Sequence, residues 1–177
     1  MKILSKTSLF LLSAALLGPC GYLGAESVAT GPLAVTKDGY LKVGFDVLGS
    51  FDFNSPDPDA TPVSDAAVKA AMVQVPVRIK KLDGNRVMVT GYMLPLKMTG
   101  SKVTEFLLVS SPMLCCYGVM PRMNDWVIVR TPPSGTSILM DSPIQFFGRL
   151  HVHEMVQDGM MSGIYLLDGE RMGDGSE

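Results

Sequence analysis

The sequence predicts a mainly β fold, best read as a small OB-like or Greek-key barrel with one short helix; a β-sandwich is the alternative. Three observations carry this. About six apolar, largely β-branched runs recur along the chain, several with period two. Gly, Pro, Asn and Asp punctuate them. One stretch alone carries a helix start signal. Closing so small a sheet into a barrel removes its exposed edges.

The elements follow in order. Lys2 and Lys6 precede the apolar run Ser8 to Gly18, which is shorter than the roughly 20 residues a spanning helix needs. It fits a secretory signal peptide over residues 1–25, with Leu23-Gly24-Ala25 at the cut. Losing the two lysines takes the formal charge from −2 to −4. Cys20, just after the apolar run, marks a second route, lipoprotein processing, although Pro19 fits that site poorly. Residues 26–75 form an N-terminal region. Leu41, Val43 and Phe45 alternate with Lys42, Gly44 and Asp46 as a half-buried strand, and Phe51 and Phe53 repeat the period. Pro56, Pro58 and Pro62 make a loop of Asn54 to Pro62. Ser64 caps a helix from Asp65 to about Val73, and Pro76 stops it.

Residues 76–172 form the barrel-like domain. Val77 and Ile79 alternate with Arg78 and Lys80, Asp83-Gly84-Asn85 suits a tight hairpin, and Arg86 to Met93 returns with Val87 and Val89 on one face. Val103 to Val109 and Trp126 to Arg130 are further strands, and Pro132-Pro133-Ser134-Gly135 turns the chain. Ile144, Phe146, Gly148, Leu150 and Val152 share a face, with Gly148 as the bend or bulge point. Met161 to Leu167 is the last strand, and residues 173–177 are a tail.

Composition narrows the function classes. Apolar residues make up 47% and charged residues 18%, which excludes a disordered chain. With 15 basic against 17 acidic residues, no excess of positive charge exists to neutralise phosphates, so nucleic acid is not expected as a partner. Three cysteines are too few for a disulfide scaffold. Gly-x-Ser-x-Gly, His-Glu-x-x-His and phosphate-cradling loops do not occur, and no residue is assigned a catalytic role.

The candidate site is the long segment Met113 to Trp126 between two strands. Cys115, Cys116, Tyr117, Pro121, Arg122 and Asn124 are its candidate ligand-binding residues. The vicinal cysteines have three readings: buried thiols, metal ligands, or a strained redox pair. His151 and His153 lie two apart on one strand face. With Cys115 and Cys116 they would offer four ligands suited to zinc or copper; the plainer reading is a solvated polar face, with no cofactor as the default. The chain has 13 methionines, whose thioethers suit Cu(I), though filling core gaps is their commoner use.

Gly91-Tyr92-Met93-Leu94-Pro95-Leu96, Thr104 to Val109, Cys115-Cys116-Tyr117-Gly118, Pro121-Arg122-Met123-Asn124, Trp126-Val127, Gly148-Arg149-Leu150 and Gly163 to Leu167 occur in that order. The set resembles the exported bacterial family known as domain of unknown function 3299, over about residues 76 to 172. The resemblance implies a mainly β, extracytoplasmic and often lipid-anchored protein. Some members are encoded beside export or metal-transport components, which implies an accessory or binding role. Cys115, Cys116, Pro121 and Asn124 match the family's signature loop, whereas His151 and His153 fall where other residues are expected.

The resulting expectation is an exported, periplasmic or envelope-located β-domain without enzymatic activity. It acts as a binding or accessory module of an envelope complex, a metal-handling or transport system, or a small-ligand system, through Met113–Trp126. Membrane contact is expected only through lipidation of Cys20. The rival class is a thiol- or metal-dependent enzyme or redox protein at Cys115 and Cys116.

Overall fold

A computed structural model describes residues 32–57, 59, 61–111 and 121–173. Six strands and three short helices follow one another among them: β1 (Leu41–Lys42), α1 (Phe45–Leu48), α2 (Asp65–Val73), α3 (Val77–Lys80), β2 (Arg86–Thr99), β3 (Lys102–Val109), β4 (Trp126–Arg130), β5 (Ile144–Gln157) and β6 (Met160–Met172).

Five of the strands close into a ring. β2 pairs antiparallel with β3, β3 with β4, β4 runs parallel to β6, β6 pairs antiparallel with β5, and β5 returns to β2. This is the connectivity of an OB-like Greek-key barrel, and the continuous ring sets it apart from a sandwich of two sheets. β1 adds two residues in parallel on β2.

Closure depends on the length of β2 and β5. Arg86 to Gly91 pair with β5, and Tyr92 to Thr99 pair with β3, so β2 changes neighbour between Gly91 and Tyr92. Gly91 stands at that corner because a Cβ there would lie 2.6 Å from the Val109 carbonyl oxygen. On β5 the register against β6 shifts between Phe147 and Gly148, and a Cβ on Gly148 would meet the Asp168 carbonyl oxygen at 2.3 Å. Gly148 is therefore the expected bulge.

Inside the ring, Val87, Val89, Met93, Phe106, Leu108, Val127, Val129, Phe146, Leu150 and Leu167 are buried in one apolar cluster. Phe106 meets Phe146 edge-to-face at 5.2 Å. Ala71 from α2, Val75, Ile79 from α3 and Leu82 join the same cluster.

Helix α2 forms as expected, with the Ser64 hydroxyl accepting the Ala67 N–H at 3.2 Å. Two elements differ from the sequence reading, which foresaw a single helix. Val77–Lys80 is a helical turn, not the first arm of a hairpin. Pro76, with its preset φ, opens the turn; Ile79 and Leu82, three residues apart, go into the core, while Val77 stays exposed. Gly84 does take a positive φ of 74°, but it leads from this turn into β2. The strand expected around Tyr40 to Asp46 stops at Lys42, because α1 follows from Phe45, with Gly44 as its N-cap, and drives Leu48 inward. Among the described residues no helix is long and apolar enough to cross a membrane.

Candidate functional site

Three segments far apart in sequence meet beside one end of the barrel. The Pro/Asp loop brings Ser55, Pro56, Asp57 and Val63. The chain entering β4 brings Pro121, Met123 and Trp126. The β5–β6 hairpin brings Gln157, Asp158, Met160, Met161 and Ser162. Together they enclose a cavity of about 570 Å³ with mostly apolar walls, a volume ordinary for small-molecule sites.

Each wall is fixed by local chemistry. Asp158 and Gly159 both have positive φ, 52° and 77°, the backbone of a two-residue hairpin turn. The Gly159 carbonyl accepts the Val63 N–H at 2.7 Å, tying the Pro/Asp loop to the hairpin tip. The Asp57 carboxylate accepts the Asp59 N–H at 2.9 Å, an Asx-type turn. Trp126 packs over Gly163: a Cβ there would lie 3.4 Å from the indole nitrogen and 3.0 Å from the Met155 methyl.

The wall before β4 is latched from behind by two of the sequence-predicted residues. Asn124 is fully buried and its side-chain N–H donates to the Phe51 carbonyl at 2.7 Å; its Oδ1 has no hydrogen-bond partner among the described residues. The Arg122 guanidinium donates to the carbonyls of Gly49 and Phe51 at 3.2 and 3.4 Å and contacts Asp52 and Asp125. Its hydrogen bond to Asp125 raises its pKa further, outweighing the cost of desolvation. The Asp125 carboxylate also accepts the Arg122 N–H at 2.9 Å. From the barrel side, the buried Tyr165 hydroxyl donates to the Leu48 carbonyl at 2.9 Å, and burial pushes its pKa up. Residues 48–53 are thus held from two directions. Arg122 and Asn124 spend their polar groups on that framework, whereas Pro121 lines the cavity.

Of the other predicted residues, His151 and His153 are placed on β5, away from the cavity walls. Cys115, Cys116 and Tyr117 lie outside the described residues. His151 and His153 share a face of β5 with rings stacked at 6.1 Å. The His151 Nε2 is 3.0 Å from Asp168, and its Nδ1 is 3.9 Å from Asp83. Among the described residues no group of three or more His, Cys, Asp or Glu is arranged to hold a metal ion.

A separate polar cluster fastens β1 and the chain before it. The Tyr40 hydroxyl donates to Glu170 at 2.5 Å and accepts from Arg86, which itself pairs with Glu170 at 2.9 Å. Burial and the Glu170 carboxylate raise the Tyr40 pKa, while Arg86 and Tyr40 hold Glu170 below the usual carboxylate value. Arg171 stacks on Phe147 at 3.7 Å and pairs with Asp38. All of these groups face one another, so the cluster is a fastening.

Sequence reasoning missed most of the cavity walls. Pro56, Val63, Asp158, Met160 and Met161 carry no shared local pattern. The Asp158-Gly159 dipeptide was the one available signal, since it marks a hairpin tip.

Comparison with known proteins supports the fold and places the family. Among solved structures, a DUF3299 family protein from Pseudomonas aeruginosa PAO1 superimposes with a TM-score of 0.51 at 23% identity, covering 76% of this chain and 95% of that one. No curated protein matches the chain. The family described as protein of unknown function (DUF3299) matches residues 54–173, more than half of the sequence and every wall of the cavity. The chain belongs to the DUF3299 family.

Proposed function

We propose that this protein is an exported, non-enzymatic binding module of the cell envelope, and that it takes a small ligand with an apolar body into the cavity between the Pro/Asp loop, Pro121–Trp126 and the β5–β6 hairpin. The observation that carries this reading is the cavity itself: about 570 Å³ of mostly apolar space, left open by segments that are individually well anchored. Fold-level analogy points the same way, because in OB-like barrels the loop joining the last two strands commonly borders the ligand. Export rests on the apolar segment Ser8 to Gly18 behind Lys2 and Lys6. An accessory role rests on the family resemblance.

The chain contains a single tryptophan, Trp126, and it lines the cavity. Its fluorescence therefore reports on occupancy directly. Titration with a neutral apolar fluorophore such as N-phenyl-1-naphthylamine should show saturable one-to-one binding with energy transfer from Trp126. Val63→Phe, which puts a ring into the cavity wall, should weaken that binding at least tenfold while leaving the thermal melt within a few degrees. Unsaturable uptake by the wild type, or undiminished binding by Val63→Phe, would show that the cavity is not the site.

A further inference from the structure

The charge around the cavity is one-sided. Asp57 and Asp158 both line it, 101 positions apart in the sequence, and no Lys, Arg or His occurs among the described lining residues. Neither carboxylate has a basic partner among the described residues: the contact of Asp57 is the Asp59 N–H, and Asp158 enters no ion pair. Elsewhere the described acids Asp38, Asp52, Glu105, Asp125 and Glu170 each have an arginine or lysine beside them, while Asp46, Asp59, Asp65, Asp141 and Glu154 enter no ion pair, so what marks Asp57 and Asp158 is their place on one apolar cavity. The cavity thus combines two unneutralised negative charges with an apolar interior, the indole of Trp126, and the thioether-bearing Met123, Met160 and Met161. An aromatic face and polarizable sulfur favour a cation, and carboxylates at the wall favour it further. The volume exceeds what a bare ion fills, and the walls desolvate an alkyl body at little cost.

Building on the binding-module reading above, we infer that the ligand is an amphiphilic organic cation, an alkyl chain bearing an ammonium or quaternary ammonium head, taken up as a monomer. The alkyl chain lies against Val63, Pro121 and the methionines, and the head stays within reach of Asp57 and Asp158. An alkyl anion of the same length meets repulsion from both carboxylates and no donor to compensate.

The test uses three probes of equal chain length below their micelle-forming concentrations: decyltrimethylammonium, neutral decanol and decyl sulfate. Binding is followed by Trp126 fluorescence and by displacement of the neutral fluorophore. The cation should bind about tenfold tighter than decanol at low salt. Decyl sulfate should bind more weakly than decanol, and raising the salt concentration should shrink both differences. The double variant Asp57→Asn/Asp158→Asn should bind decanol as the wild type does and lose the cation preference to within about threefold. Both positions are exposed, so retained decanol binding also certifies that the variant is folded. Equal affinity for cation and decanol in the wild type, or an undiminished preference in the double variant, would overturn the inference while leaving the cavity as a ligand site. Failure of all three probes to bind would overturn the binding-module reading on which it rests.

Discussion

The inside of the barrel and the cavity beside its end are both apolar, and they are finished differently. Phe106, Leu108, Leu150, Ile164 and Leu167 are fully buried and belong to one packed apolar cluster. On the cavity wall Met160 is 47% exposed, Ser55 and Asp57 are exposed, and Val63, Met123 and Trp126 are half-buried. Interior side chains come from adjacent strands whose register fixes their neighbours. Wall side chains come from three segments that are fixed from outside the space, by the Val63 N–H on the Gly159 carbonyl and by the side chains of Arg122 and Asn124 on residues 49–52. Rigid attachment behind an open space is what a preformed site requires.

If that contrast is real, substitutions should separate into those that cost stability and those that cost binding. The largest stability effect is expected in the ring. Phe146→Ala removes a buried ring that packs edge-to-face on Phe106 and lies over Gly169, where a Cβ would come within 2.4 Å of it. The loss should be about 3–5 kcal/mol in chemical denaturation. A loss below about 1 kcal/mol would mean that the ring is not packed as described.

The next effect belongs to the latch behind the wall. Asn124→Ala removes the short 2.7 Å bond to the Phe51 carbonyl, leaves it only the longer 3.4 Å contact with Arg122, and should cost about 1–3 kcal/mol. It should also loosen the wall at Met123 and Trp126, seen as broadened Trp126 emission and weaker binding of the neutral fluorophore. Full stability with unchanged emission would show that Asn124 is not a latch.

A smaller effect tests the barrel's outer face through pH. Burial disfavours the charged form of Glu105, but hydrogen bonds from Lys97 at 2.9 Å and Arg130 at 3.3 Å, with their charges, outweigh it and hold its pKa below the ordinary 4.5. The folded value lies under the unfolded one. The carboxylate's contribution is therefore complete above the unfolded pKa and is lost as pH falls through the folded one. Both basic partners are more than half exposed, so solvent screening limits the contribution to about 1 kcal/mol at most. Glu105→Gln should lower stability slightly at neutral pH, and the two melting curves should converge in acid. A gap that widens on acidification would refute the assignment.

The strands were legible in the sequence because their signal is local. Ile144 to Val152 repeats with period two, and Gly148 announced its bulge by lacking a side chain. The continuation of β2 beyond Met93 was not legible, since Pro95 normally ends a ladder; here the register shifts after Pro95 and the strand resumes at Lys97. Val77 to Lys80 fits strand and helix equally over four residues, and Leu82, one helical turn beyond Ile79, tips it to helix. Arg122 and Asn124 stood out in the sequence, yet their distinctiveness reflects the carbonyls of residues 49–51, some 70 positions earlier. No local pattern could reveal a cavity whose walls are about 55–63, 121–126 and 157–162.

The smallest expected stability change carries the most information about function. Met160 sits at the start of β6, directly after the hairpin turn, and about half of it faces solvent. Truncating it in Met160→Ala removes wall surface but no core contact, because Met160 is outside the buried cluster that its neighbour Met161 joins. Stability should change by less than about 0.5 kcal/mol, the usual range for exposed positions. The cavity, however, loses a flexible apolar wall, so the neutral fluorophore should bind several-fold more weakly. Met160→Leu restores apolar volume without the sulfur and should recover most of that binding. If Met160→Ala instead destabilises by more than about 1.5 kcal/mol, the wall is part of the core. The open space would then be a packing gap, and the contrast between ring and cavity would dissolve.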